Sequence, residues 1–268
     1  MTARDRNGTA YEVAGPDRAA AVALIHGLGL NRGVWRDHVP ALAARYRVVS
    51  YDLYGHGDSA PPPATPSLAL FAAQLRDLLD AIGIARCAVV GFSLGGMINR
   101  RFALDAPDRV AALAVLNSPH ERDAAAQRLV EQRAAAVAAG GSDASIEAAL
   151  QRWFTPDFHA ARPDVIAAVR AWRAANDPAS YPASCLVLAT GVTELVRPDP
   201  PITAPTLVMT AEHDSGSTPA MSHAIAGEIP GARTIIVPGL RHMGLMERPE
   251  LFTEPLLRFL DAALAPAA

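Results

Sequence analysis

Gly91-Phe92-Ser93-Leu94-Gly95-Gly96 follows the apolar run Cys87-Ala88-Val89-Val90 and opens a helical pattern over residues 94–105. A serine set between a strand and a helix, with glycine two residues away on each side, has the G-x-S-x-G pattern of a strained strand-to-helix turn. Such a turn leaves no room for side chains beside the serine, so small residues stand there. It lifts the hydroxyl above the sheet, and the helix behind it offers its first backbone N–H groups to a developing negative charge. Ser93 is the candidate nucleophile on this reading. The bland alternative is a tight turn that merely contains serine. An unactivated hydroxyl is a poor nucleophile, so the chemical reading requires a histidine base and an acid to orient it.

Outward from the elbow, short β-type runs alternate with helical patterns. Ala21-Val22-Ala23-Leu24-Ile25 is continuously apolar, as a strand buried on both faces should be. Arg47-Val48-Val49-Ser50-Tyr51, Ala112-Leu113-Ala114-Val115-Leu116, Thr206-Leu207-Val208-Met209 and Thr234-Ile235-Ile236-Val237 read as further strands. Helices are expected near residues 34–44, 68–82, 94–105, 218–228 and 247–263. Leu68, Phe71, Leu75, Leu78, Leu79 and Ile82 line one face of the second of these. The alternation predicts an α/β protein with a mostly parallel, twisted sheet and helices on both of its faces. From about Pro119 to Arg197 the rhythm breaks into an Ala-rich helical stretch, punctuated by Gly140-Gly141, Thr155-Pro156, Arg162-Pro163 and Asp177-Pro178. That stretch, residues 119–197, is expected to be an inserted helical cap between two parts of one core, 1–118 and 198–268.

The partners of Ser93 are sought at strand ends. His242, in Pro238-Gly239-Leu240-Arg241-His242-Met243, lies between the last expected strand and the final helix, where a base can reach the elbow. The acid should follow the strand before it; Leu207-Val208-Met209-Thr210 leads into Ala211-Glu212-His213-Asp214, and Asp214 is chosen over Glu212 and Glu247. The position after Leu116 holds Asn117, an amide, which strengthens Asp214. In His26-Gly27-Leu28-Gly29 the glycines let backbone approach a reacting carbonyl, so the N–H of Leu28 can pair with that of Leu94 as an oxyanion hole. Tyr51-Asp52-Leu53-Tyr54-Gly55-His56-Gly57-Asp58-Ser59 is rich in chemistry, yet Asp52 and His56 read as the hydrogen-bonding residues of a tight turn.

Composition narrows the partners. The formal net charge is −3 over 268 residues, without the basic footprint of a nucleic-acid binder. Every basic residue is arginine, which rules out a lysine Schiff base. Cys87 and Cys185 read as buried free thiols, and no histidine has metal-ligand spacing, so neither a metal nor an organic cofactor is expected. The N-terminus lacks the apolar stretch of a signal peptide, and no apolar run approaches the roughly 20 residues of a membrane span. The expectation is a cytoplasmic monomer or homodimer acting on a small molecule, with no membrane or nucleic-acid partner.

The motifs spread from His26 to Pro249 resemble the α/β-hydrolase superfamily over essentially the whole chain, in which the order Ser, Asp, His recurs. A closer likeness, to the 3-oxoadipate enol-lactonases and related ring-cleavage-product hydrolases, rests on three stretches. They are Arg152-Trp153-Phe154-Thr155-Pro156-Asp157-Phe158, Gly95-Gly96-Met97 and Ile202-Thr203-Ala204-Pro205-Thr206-Leu207-Val208. The resemblance implies a serine hydrolase that opens an ester or enol-lactone of a small catabolic intermediate of aromatic or heterocyclic compounds through an acyl-enzyme. Three departures bear on the pocket: Tyr54 stands where those lactonases have Arg, the path from Asp214 to Pro219 is one residue longer, and residues 189–195 differ. The substrate can therefore differ while the mechanism persists. Hydrolysis of a C–C or amide bond in a ring-cleavage product is the rival within enzymes; a non-catalytic ligand-binding protein on the same fold is the rival outside them. Arg100, Arg152 and Trp153 are the candidate substrate-binding residues. Arg101, Arg122, Arg128 and Arg133 are further cations able to meet a substrate carboxylate, with solvated helix faces as the bland alternative.

Overall fold

The structure, a computed structural model, describes residues 2–140 and 142–265. Its strands are β1 (Ala3–Arg4), β2 (Ala10–Ala14), β3 (Ala21–Ile25), β4 (Arg47–Tyr51), β5 (Cys87–Phe92), β6 (Val110–Leu116), β7 (Thr206–Ala211) and β8 (Arg233–Val237). They form one sheet in the order β1-β2-β4-β3-β5-β6-β7-β8. Every pairing from β4 to β8 is parallel; β1 and β2 add an antiparallel edge. The six apolar runs of the sequence are β3 to β8. The edge pair went unread because half of β2 is exposed, so Tyr11, Glu12 and Val13 leave no apolar run.

Helices cover both faces, and the two-residue period of the strands sorts the core accordingly. Ala23 and Ile25 of β3, Val89 of β5 and Val115 of β6 face α2 (Leu68–Ala81) and α3 (Leu94–Asp105). Val22 and Leu24, Val90, and Ala114 face the other way, toward α1 (Val39–Ala43) and the helix that closes the described chain. α2 starts where the Ser67 hydroxyl accepts the Leu70 N–H at 3.1 Å, and it buries Leu68, Phe71, Leu75, Leu78 and Leu79 as its periodicity requires. The helix expected over 34–44 is instead a short 3-10 turn, Arg32–Trp35, followed by α1. Pro40 is the reason: it lacks the N–H and would clash with the carbonyl four residues back, so the helix restarts beside it.

Between β6 and β7 the chain makes α4 (Ala124–Ala138), α5 (Ser142–Trp153), α6 (Pro156–Ala161), α7 (Pro163–Ala174) and α8 (Tyr181–Thr190), with no strand among the described residues. Of the expected Gly140-Gly141 break, Gly141 lies outside the described residues. α4 packs on α8 through Ala134 and Val137 against Tyr181, Cys185 and Ala189. After β7 come α9 (Pro219–Gly227), α10 (Gly244–Glu247) and α11 (Pro249–Ala263). Cys87 and Cys185 are free and buried. No helix among the described residues is long and apolar enough to cross a membrane.

Candidate active site

Ser93 stands at the junction of β5 and α3 with φ 56° and ψ −115°. A residue with a Cβ pays strain in this left-handed region, and such strain persists only where the surroundings over-determine it. Here they do. A Cβ on Gly91 would lie 2.1 Å from the Gly95 carbonyl oxygen, and one on Gly95 would lie 2.3 Å from that of Ile25. Only glycine lets β5, α3 and the end of β3 approach so closely. The turn is then pinned by Ser93 N–H donating to Leu116 O and Gly96 N–H donating to Ser93 O, both at 2.9 Å.

The loop after β8 brings His242 to this hydroxyl, with Nε2 3.2 Å from Ser93 Oγ. On its other side Nδ1 lies 2.6 Å from Asp214 Oδ2, in the loop after β7. Asp214 is almost wholly buried, yet all of its acceptor capacity is used. Oδ1 accepts the N–H groups of Gly216 and Ser217 at 2.9 and 3.0 Å, and Oδ2 also accepts Asn117 Nδ2 at 2.9 Å. Burial alone would raise this carboxyl; the electrostatic attraction of His242 and the hydrogen bonds from His242, Asn117 and Ser217 outweigh it and hold the group below the ordinary carboxylate value. An ionised Asp214 can only accept, so His242 Nδ1 donates and Nε2 is left as the acceptor facing Ser93. Glu212 and Glu247 do not reach the imidazole: the first accepts Gly239 N–H, and the second accepts the Thr155 N–H and hydroxyl.

In the sequence Asn117 signals only the absence of an acid. It holds φ 46° at the end of β6, its N–H donates to Met209 O at 2.8 Å, and its amide steadies Asp214. The signal that could have found it is its place: a short amide at a strand end next to the strand that carries the acid.

The turn residues are placed as turn residues. Asp52 is buried, pairs with the Arg32 guanidinium and accepts the N–H groups of Arg32 and Asp58. His56 donates from Nδ1 to Tyr54 O at 3.0 Å, and burial, with His26 beside it, pushes its pKa down to about 3. His26 is also kept neutral by burial, at about 4; Nε2 accepts Leu53 N–H and Nδ1 donates to Gly27 O. This fixes the loop on which Leu28 sits. Leu28 borders the cavity above Ser93, while Leu94 is the first residue of α3, where an N–H has no intrahelical partner.

That cavity, about 300 Å³, is bounded on the sheet side by Gly27, Leu28, Phe92 and His242. Side chains of α4, α5, α7 and α8 bound it opposite, including Val130, Trp153 and Leu188. The Trp153 ring lies 6.0 Å from that of His242. Arg122, Arg133, Arg152 and Arg173 also line it. Arg100 is a correction to the sequence reading. Its buried guanidinium donates to Gly96 O, Ser118 Oγ and Pro119 O, tying α3 to the loop after β6, and burial lowers its pKa to about 10. It is not part of the cavity wall. Arg101 pairs with Asp105 and Glu194. Among the described residues, no cluster of three or more His, Cys, Asp or Glu side chains is arranged to hold a metal ion.

A family model for the α/β hydrolase fold matches residues 20–249. The chain belongs to the α/β-hydrolase family. Among curated relatives, a Klebsiella pneumoniae protein bearing the name carbamate hydrolase RutD is 33% identical to this α/β hydrolase over 255 residues, 93% of this chain and 94% of its own length. The (E)-2-((N-methylformamido)methylene)succinate hydrolase of Acinetobacter baylyi is 30% identical over 242 residues, 89% of each chain. Among solved structures, an enol-lactonase from Burkholderia xenovorans superposes with a TM-score of 0.85 at 29% identity, covering 95% of this chain and 97% of its own.

Proposed function

We propose that this α/β hydrolase is a serine hydrolase that cleaves a carboxylic ester or enol-lactone of a small, carboxylate-bearing catabolic intermediate through an acyl-enzyme. The observation that carries the reading is the unbroken hydrogen-bond chain from Ser93 through His242 to a fully engaged Asp214, beside a cavity of about 300 Å³. His242 Nε2 takes the Ser93 proton as Oγ attacks the carbonyl carbon, and Asp214 stabilises the imidazolium that forms. The N–H groups of Leu28 and Leu94 hold the oxyanion while the tetrahedral carbon collapses. The imidazolium returns its proton to the leaving oxygen. Water, deprotonated by the same imidazole, then releases the acid and restores Ser93. Residues 119–197 act as the cap that shapes the pocket, with Trp153 and Arg152 on its inner wall.

The second reading is cleavage of a C–N bond, favoured by the carbamate and formamido-succinate in the names of the two curated relatives. The triad is the same; the leaving group differs. A panel of enol-lactones, aryl esters, vinylogous diketones and acylamino succinates separates the readings, with kcat/KM expected to be highest on a lactone or ester. A higher value on the acylamino compounds establishes the second. Absence of any turnover, together with no fluorophosphonate adduct on Ser93, contradicts both and leaves a ligand-binding protein.

A further inference from the structure

The imidazole that faces Ser93 rides on irregular chain. Residues 238–243, between β8 and α10, form neither helix nor strand, and such a loop has no ladder of its own to hold it in place. On the sheet side, Leu240 O accepts His213 N–H at 2.9 Å and Glu212 accepts Gly239 N–H. On the other side the ties gather on one turn, where α5 ends and α6 begins. Arg241 Nη1 donates to Gln151 O at 2.7 Å and to Phe154 O at 3.1 Å. Met243 N–H donates to Trp153 O at 2.8 Å. From α10, Glu247 accepts the Thr155 N–H at 2.8 Å and the Thr155 hydroxyl at 2.6 Å. Residues 241–247 and 151–155 are thus clasped together, with His242 between two of the residues that hold on.

The carbonyls of Gln151, Trp153 and Phe154 stand at the C-terminal end of α5, where a helix has no partners of its own to offer and a cation is favoured. That need alone would account for Arg241 as a helix cap. Two observations tie the clasp to the imidazole as well. Trp153 borders the cavity with its ring 6.0 Å from that of His242, and Phe92, next to Ser93, lies 5.0 Å away on the elbow strand. The contact that the clasp sets is also a long one: Nε2 to Ser93 Oγ is 3.2 Å, at the outer end of hydrogen-bond reach. Asp214 fixes the tautomer of the ring, but a loop that drifts by a fraction of an ångström carries the ring out of reach of the hydroxyl.

We infer that Arg241 is a positioning residue: by holding the 151–155 turn it keeps the loop, and with it His242 Nε2, within reach of Ser93 Oγ. For its reaction this rests on the proposed function; the clasp itself is read without turnover. Arg241→Met keeps an apolar stem and removes the donors, and Arg241→Lys returns a donor to the end of the stem. On an aryl ester, kcat of Arg241→Met should fall about 10-fold with KM changed less than about 3-fold, since the Met243 and Thr155 bonds still hold the cavity wall. Arg241→Lys should regain at least about 3-fold of that loss. A kcat within about 3-fold of the parent, with only the unfolding temperature lowered, overturns the inference and leaves a helix cap. A rise in KM at unchanged kcat, or a lysine variant no better than the methionine one, overturns it too.

Hydrogen exchange on the unmodified chain tests the clasp even if Arg241→Met does not fold. The Met243 and Thr155 amides should show protection within about 10-fold of each other, because both are freed only when the clasp opens; a wider gap overturns the inference. A chain that takes the fluorophosphonate on Ser93 and hydrolyses the ester, yet keeps full kcat in Arg241→Met, fails this inference alone. A chain that does neither, while the two amides exchange together, fails the proposed function and keeps the clasp.

Discussion

The two walls of the cavity are built by different means. The sheet wall is built on loops at the ends of β3, β5, β7 and β8, around glycines where an added Cβ would lie 2.1 or 2.3 Å from a backbone carbonyl oxygen and so is excluded. Its charged group, Asp214, is held by four donors. The helical wall is side chain: apolar residues and arginines projecting from α4, α5, α7 and α8, without carboxylate partners for Arg133 or Arg152 among the described residues. Atoms on the sheet wall have one place to be, whereas long side chains on helices can be exchanged without disturbing the backbone. On the proposed function, chemistry belongs to the first wall and choice of substrate to the second, so substitutions on the two should differ in kind as well as size.

The largest effect expected is on the sheet wall. Ser93→Ala should lower kcat by about 10⁵-fold or more, with the circular dichroism of the folded chain retained. Asp214→Asn should lower kcat about 10⁴-fold, because an amide allows the imidazole tautomer that points its proton at Ser93. If either variant kept near-full turnover, the division between the walls would be lost. Gly95→Ala should destabilise the chain by about 2–3 kcal/mol, since a methyl at 2.3 Å from Ile25 O forces the elbow open; thermal unfolding against the parent measures it.

Asn117→Ala should act more gently, lowering kcat about 10-fold by removing one of the donors to Asp214. It also carries a pH signature. The Asp214 carboxyl sits below its ordinary value when folded, so its contribution to stability is present above that ordinary value and is lost as pH falls through the lowered one. Removing Asn117 raises the folded value and narrows this window, so acid unfolding of the variant should begin at higher pH. An unchanged acid limb would show that Asn117 supports the fold but not the carboxylate. The smallest effects belong to the helical wall. Arg152→Gln should raise KM for anionic esters about 10-fold and change kcat little, and a fall in kcat matching that of Asp214→Asn would erase the contrast.

The same contrast explains what could be read in the sequence. Strands β3 to β7 are legible because each carries an apolar run that is buried in the sheet, and the half-buried edge strand β8 because Ile235, Ile236 and Val237 keep such a run; the residues that gather at Ser93 are legible because they sit at strand ends in a fixed order. Strand β2 has a half-exposed edge composition and gave no such run. Pro40 broke a helix that apolar content alone suggested. Arg100 was misplaced because helical periodicity tells which residues share a face, not which neighbouring loop that face meets; here it meets the carbonyls of Gly96 and Pro119. The convergence of Arg133, Arg152 and Arg173 could not be seen at all, since it depends on how three helices cross. Asn117 needed the register of β6 beside β7 to be recognised as a partner of Asp214.

The central claim is that an acyl group passes through Ser93. Acid quenching during steady turnover of an aryl ester, followed by peptide mass spectrometry, tests it most directly. An acyl mass is expected on the peptide containing Ser93, and none in Ser93→Ala. Turnover with no acyl mass on that peptide, or with the acyl group on another residue, would contradict it.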